Sequence, residues 1–333
     1  MKNKYKSWIT FLILTIIILL AMIILSLIVG EINIFTKEIY NPLSIEYSIL
    51  TKLRLPRIIL AFSIGGALSL TGALLQGIYR NPLVEPYTLG ISGGAAFGIS
   101  LTIVLGLHIS IGAFMLSVSG FTGSLATIFL VYFLSIKNGS ININRMLLIG
   151  VMISFIASSF MMLLMAITTT ENINSIISWT MGSLDEPNTS LIKIMFVSSI
   201  AGLIISYFFA RPLNALRLGE AKAQHLGINS AVTVRILFVV ASLLTGISVS
   251  VAGIIGFVGL VIPHIVRLII GSDYRIFLIG SYLGGSIFLL FSDIIAKTLI
   301  SPNELPIGVI TGILGGIMFI IVLSKSKNKI KTI

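Results

Sequence analysis

Few residues in this chain of 333 are equipped for chemistry, and their spacing excludes most of it. Cysteine is absent, which removes disulfides, thiolate metal sites and cysteine nucleophiles. The histidines, His108, His225 and His264, lie far apart, so no metal cluster is expected. An enzyme would show paired carboxylates, a histidine cluster or an activated nucleophile facing a cavity, and none of these patterns occurs. There is no GxxxxGK[ST] phosphate loop either. The SGG run at Ser92–Gly94 has the look of an ATPase signature, but it sits in an apolar segment without a polar flank. No cofactor is expected. Asp293 is the one acid inside an apolar run of its kind, and an acid at membrane depth is a functional candidate by default. Lys297, four residues on, offers the simpler account of an internal ion pair. His264 follows Pro263 in a pattern that reads as structural.

The elements that must position these residues are helices in a bilayer. The chain is 56% hydrophobic and 10% charged, against about 25% charge in soluble domains. A span needs about 20 apolar residues, and the pattern gives ten: 8–30, 56–78, 90–107, 112–135, 146–168, 190–210, 236–251, 253–270, 276–296 and 306–324. The pair within 236–270 is interrupted by Gly246, Gly253, Gly256 and Gly259, so its division is open. The N-terminus is basic and then apolar, but its apolar run is too long for a secretory core, and it reads as a retained first span. The expected fold is therefore all-α, one polytopic domain over 1–333 in a cell membrane, with both termini in the cytoplasm. That arrangement places 16 of the 22 Lys and Arg residues inside, as the positive-inside rule requires. The net charge of +11 is then a topology signal rather than a nucleic-acid footprint. Six cations fall outside, among them Arg54, Arg57 and Lys297.

The longest polar excursion is 211–235. It reads as two short helices outside the bilayer, Leu213–Leu218 and Glu220–Leu226, each followed by a glycine, Gly219 and Gly227. It is either a plain basic loop or a surface that docks a partner. The segment 169–191 is expected outside as a short amphipathic helix, a lid or a connector anchored by Trp179. Ala61, Gly65, Ser69, Ala73 and Gly77 recur every four residues, and so do Gly308, Gly312 and Gly316. Such stripes let helix backbones approach closely. The first stripe, ending near Gln76, serves either packing or a translocation path; the second serves an interface within the bundle or between subunits. In NPLVEP, Asn81, Pro82, Glu85 and Pro86 form an irregular turn. It is either structural or the inner neck of the path.

RLPR (54–57), QGIYRNPLVEPYTLGISGGAAFG (76–98), WTMGSL (179–184), LGEAKAQHLG (218–227), AGIIGFVGLVIPHIVRLIIGSDYR (252–275) and ELPIGVITGILGG (304–316) together carry a resemblance. In that order they resemble the permease family of type II ABC importers (FecCD-like), which take up ferric siderophores, haem and vitamin B12. The resemblance runs from about residue 54 to the end. It implies a ten-span subunit without catalytic activity, paired with a second permease, identical or homologous. It also implies two cytoplasmic ABC ATPases beneath and an external substrate-binding (lipo)protein that delivers cargo. Carried over by position, Leu218, Gly219, Glu220, Ala223, Leu226 and Gly227 match the family's ATPase-coupling helices. Arg54, Arg57 and Lys297 match outward cations that meet acids of the binding protein. Lysine at the third position keeps the charge but not the bidentate fork. The alternative for those three is interfacial snorkelling. The cargo implied first is an iron(III)–siderophore complex, then haem, then cobalamin. An ion-coupled secondary transporter would want several buried ionisable groups along its path, and the spans offer essentially only Asp293.

Overall fold

The computed structural model describes residues 2–30, 41–137, 140–141, 143–301 and 303–330. The chain starts in α1 (Lys2–Ile28). A short α2 (Ile45–Ile49), capped by Ser44, widens into a π-turn at Leu50–Arg54 and continues as α3 (Leu55–Tyr79). Beyond the NPLVEP turn come α4 (Ile91–Val104), α5 (Leu107–Ser110) and α6 (Phe114–Ser135). A two-residue antiparallel pair, β1 (Ile136–Lys137) with β2 (Ser140–Ile141), leads to α7 (Ile143–Ile167). Then follow α8 (Thr170–Thr180), α9 (Thr189–Phe208), α10 (Ala210–Leu216) and α11 (Glu220–His225). The chain closes with α12 (Ser230–Ala252), α13 (Val258–Ile270), α14 (Tyr274–Thr298) and α15 (Ile307–Ile330).

Among the described residues, seven helices are long and apolar enough to cross a membrane. Three shorter apolar helices, Ile91–Val104, Val258–Ile270 and Ile307–Val322, accompany them. The ten expected segments fall on these helices, so the fold is that of a multi-pass membrane protein. α3 is the axis: α14, α12, α9 and α13 pack around it, while α1 and α7 keep most of their apolar surface on the outside.

The small residues of α3 explain that centrality. Lipid supplies no hydrophobic drive between helices, so close backbone packing must supply the attraction. A Cβ built on Gly65 would stand 2.3 Å from the Gly285 carbonyl oxygen, and one on Gly285 would stand 2.2 Å from that of Gly65. A larger side chain at either position would force α3 and α14 apart, at about 1–3 kcal/mol or more. The stripe is thus a packing face. Within the subunit Ser69 is fully buried against Gly285, and Gln76 is enclosed, its amide nitrogen donating to the Gly259 and Leu260 carbonyls. On α15, Gly308 is packed against the Met181 and Ile254 carbonyls, whereas Gly312 faces open space.

The division left open between residues 236 and 270 is a break from Gly253 to Phe257, where neither α12 nor α13 continues. Irregular backbone in an apolar setting must find partners within the protein. Here Tyr87 Oη donates to the Ile255 carbonyl (2.9 Å) and accepts from the Ile255 N–H (3.1 Å). The Ser183 N–H donates to the Ala252 carbonyl at 2.9 Å, which seats the end of α8 in the break.

Candidate functional site

The polar excursion forms two short helices, with boundaries shifted from expectation. The first is Ala210–Leu216 rather than Leu213–Leu218. Pro212 lies in its first turn, where a missing N–H costs nothing, so the helix can begin upstream of the proline. Ala210, Leu213 and Leu216 are buried against the ends of the spans. Asn214 bolts the helix to the start of α14: its Nδ2 donates to Asp273 Oδ1 (2.9 Å), and its Oδ1 accepts from the Tyr274 N–H (3.1 Å).

Gly219, at φ 109° and ψ 151°, turns the chain into α11, a conformation open mainly to glycine. α11 ends in a Schellman motif: the Gly227 N–H donates to the Gln224 carbonyl and the Ile228 N–H to the Ala223 carbonyl, with Gly227 at φ 77°. Glu220 sits in the first turn and His225 in the last, the order the helix dipole favours. The two faces of this segment differ. Ala223 is fully buried and belongs to the inner face. Leu218 and Leu226 are 59% and 64% exposed, two large apolar side chains held outside the spans beside exposed Glu220.

At the opposite end of α3 the candidate docking cations gather, but with partners inside the chain. Arg57 Nε lies 2.7 Å from Asp293 Oδ1, and its NH1 lies 2.5 Å from Glu304 Oε2. Lys297 Nζ lies 2.6 Å from Asp293 Oδ2. Asp293 is completely buried between the two cations, and Glu304 is 51% exposed. The sequence singles out the Asp293–Lys297 pair, and the structure extends it to four charges. Arg54 is buried too, its NH1 donating to the Leu27 and Ile28 carbonyls where α1 ends. A cation there complements the helix C-terminus. All three are therefore engaged within the subunit.

In the NPLVEP turn, Asn81 Oδ1 accepts from the Leu83 N–H at 2.9 Å, a side-chain-closed turn. Burial raises the Glu85 carboxyl above the usual carboxylate range, and the Phe257 N–H bond at the start of α13 offsets part of that. Asn81 and Glu85 thus shape backbone. Pro82 lines a pocket of 230 Å³ with Arg80, Arg217, Arg267, Gln76 and Tyr274, a grouping that the sequence reading missed. No pattern in the sequence marks it, because the three arginines lie at the ends of helices far apart in the chain. On the far side, α8 and residues 183–188 line a larger cavity of 730 Å³ that includes Phe114, Trp179, Asp185 and Glu186. Burial raises the Glu186 carboxyl, partly offset by the Asn188 N–H. Among the described residues no group of His, Asp and Glu could hold a metal ion.

Residues 18–325 match the model of the FecCD transport family. The chain is 36% identical over 279 residues to the hemin transport system permease protein HmuU of Yersinia pestis, covering 83% of each chain. It is also 36% identical over 278 residues to the vitamin B12 import system permease protein BtuC of Klebsiella pneumoniae, covering 84% of this chain and 83% of that one. A solved structure assigned to the metal-chelate type of ABC transporter, in an inward-facing conformation, aligns at a TM-score of 0.84 and 31% identity. It covers 93% of this chain and 97% of that one.

Proposed function

The chain belongs to the FecCD transport family and is an ABC importer permease, and from that premise we propose that it passes an iron(III)–siderophore complex from an external binding protein into the cytoplasm. ATP hydrolysis lies in two separate ATPase subunits, which dock on α10 and α11. A second permease, identical or homologous, completes the path, and Gly312 on α15, facing open space, suits a face between subunits. Both termini then lie in the cytoplasm, with the Arg57–Asp293–Lys297–Glu304 cluster outside.

The observation that carries the coupling part is the two-faced segment from Ala210 to Gly227. Its inner face is bolted to α14 through Asn214, while Leu218, Leu226 and Glu220 project from the outer one. A push received there passes directly to a span. Gly219→Pro, which φ 109° forbids to proline, and Glu220→Arg are each expected to abolish uptake while membrane insertion stays normal. Unchanged uptake in both variants would count against ATPase docking at this segment.

For the external partner, Arg57 is the most accessible of the three cations to an acid from outside, because its own partner Glu304 is half exposed. Haem or cobalamin is the alternative cargo, favoured by the likeness to the hemin and vitamin B12 permeases. Fluorescence quenching of the cognate binding protein against a panel of ferric siderophores, haem and cobalamin decides this. Quenching by haem or cobalamin alone would exclude the siderophore.

A further inference from the structure

The end of the bundle that carries α10 and α11 also holds a concentration of positive charge that transport as described above does not use. Arg80 caps α3 in a left-handed conformation (φ 50°), Arg217 caps α10, and Arg267 lies in the last turn of α13. Three helices that are distant in sequence thus direct guanidinium groups to one pocket of 230 Å³. Cations near helix C-termini are favoured in general, which accounts for each arginine singly but not for their convergence.

Their internal partners are neutral. Arg217 NH1 donates to the Ser272 carbonyl at 2.6 Å, and Arg267 NH2 donates to Gln76 Oε1 at 3.1 Å. Arg267 also lies over the Phe277 ring, 5.0 Å from its centroid. Its Nε is buried without a partner. Among the described residues no salt bridge involves any of the three, and no acid lines the pocket. A buried guanidinium donor left unmatched is unusual, and three cations without a counter-charge repel one another. An occupant with several acceptor oxygens and negative charge would relieve both conditions. Guanidinium groups suit phosphate because their planar fork offers paired N–H donors.

We propose that Arg80, Arg217 and Arg267 form a phosphate-binding site, with Gln76 fixing the Arg267 side chain. The bound group ties the ends of α3, α10 and α13 together beside the coupling segment. The phosphate comes from a soluble anion or from a lipid headgroup, and the chemistry of recognition is the same for both. The site depends neither on the cargo nor on ATPase docking.

The test uses the full chain purified in dodecyl maltoside, free of phosphate and lipid. Radiolabelled inorganic phosphate is titrated at fixed ionic strength against chloride, with binding read by equilibrium dialysis and stability by the thermal unfolding midpoint. Saturable binding and a raised midpoint are expected. The exposed pair Arg80→Gln with Arg217→Gln should weaken binding by about tenfold or more, as loss of charge-assisted bonds implies. Arg217→Lys should weaken it less, and Lys222→Gln, on α11 outside the pocket, should leave it unchanged. A second arm replaces inorganic phosphate with phosphatidylglycerol. A midpoint raised by the lipid alone, and lost in the Arg80/Arg217 double variant, supports the site and assigns the phosphate to a headgroup. No gain over chloride from either probe overturns the proposal, as does wild-type affinity in the double variant. Phosphate binding that disappears when the ATPases assemble also overturns it, because a partner's acid then fills the pocket.

Discussion

Arg57 and Lys297 at one end of the molecule, and Arg80, Arg217 and Arg267 at the other, are similar side chains in opposite circumstances. The first two share a completely buried Asp293, and Arg57 also reaches Glu304. The other three share a pocket without an acid. α3 connects the two regions, with Arg57 near its start and Arg80 just past its end. The lesson is that a count of cations says little about which are available. At the paired end, taking charges out of water is compensated by other charges on the same chain. At the basic end that compensation is missing, so the charge there is available to something else.

The largest expected effect lies at the paired end. Asp293→Ala leaves Arg57 and Lys297 facing each other without their buried counter-ion, a change that typically costs about 3–5 kcal/mol. The unfolding midpoint in detergent should fall sharply. Replacing these three together, Asp293→Leu with Arg57→Met and Lys297→Met, should recover most of it, because exchanging the buried charges for apolar groups is often close to neutral, and the Glu304 left behind is half exposed. A cost under about 1 kcal/mol for Asp293→Ala would break the contrast between the two ends.

An intermediate effect is expected from giving the basic end what it lacks. Ser272→Asp adds an acid to the pocket rim beside Arg217. It should stabilise by about 0.2–1 kcal/mol, the range of a partly exposed pair, and abolish phosphate binding in the dialysis assay. Phosphate affinity equal to wild type in this variant would mean that the arginines are not the ligands.

The smallest effect on stability belongs to Glu304→Gln. With that side chain half exposed, the loss should stay below about 1 kcal/mol. Affinity for the external binding protein should nevertheless rise, since Arg57 loses its internal competitor, and surface plasmon resonance at low salt would measure it. Weaker docking in this variant would make Glu304 itself a contact residue.

Much of the scaffold was legible in the sequence. Apolar runs located the helices, glycines at 219 and 227 marked the turns after α10 and α11, and the four-residue stripe on α3 announced close packing. These features follow from local rules: helix length, backbone conformation, and the absence of a Cβ where backbones meet. The family was legible too, because several long motifs stand in one order.

What the sequence could not decide was partnership. That Ser69 packs on Gly285 and Gln76 bonds to the start of α13 depended on where α13 and α14 came to lie. Arg57 meets Asp293 across 236 positions, and Arg54 reaches back to carbonyls at the end of α1. Local composition places a charge on one side of a membrane, since hydration of an ion depends mainly on depth. Only the folded arrangement sets which opposite charge stands within 3 Å of it, because that distance is fixed by how helices far apart in the chain cross.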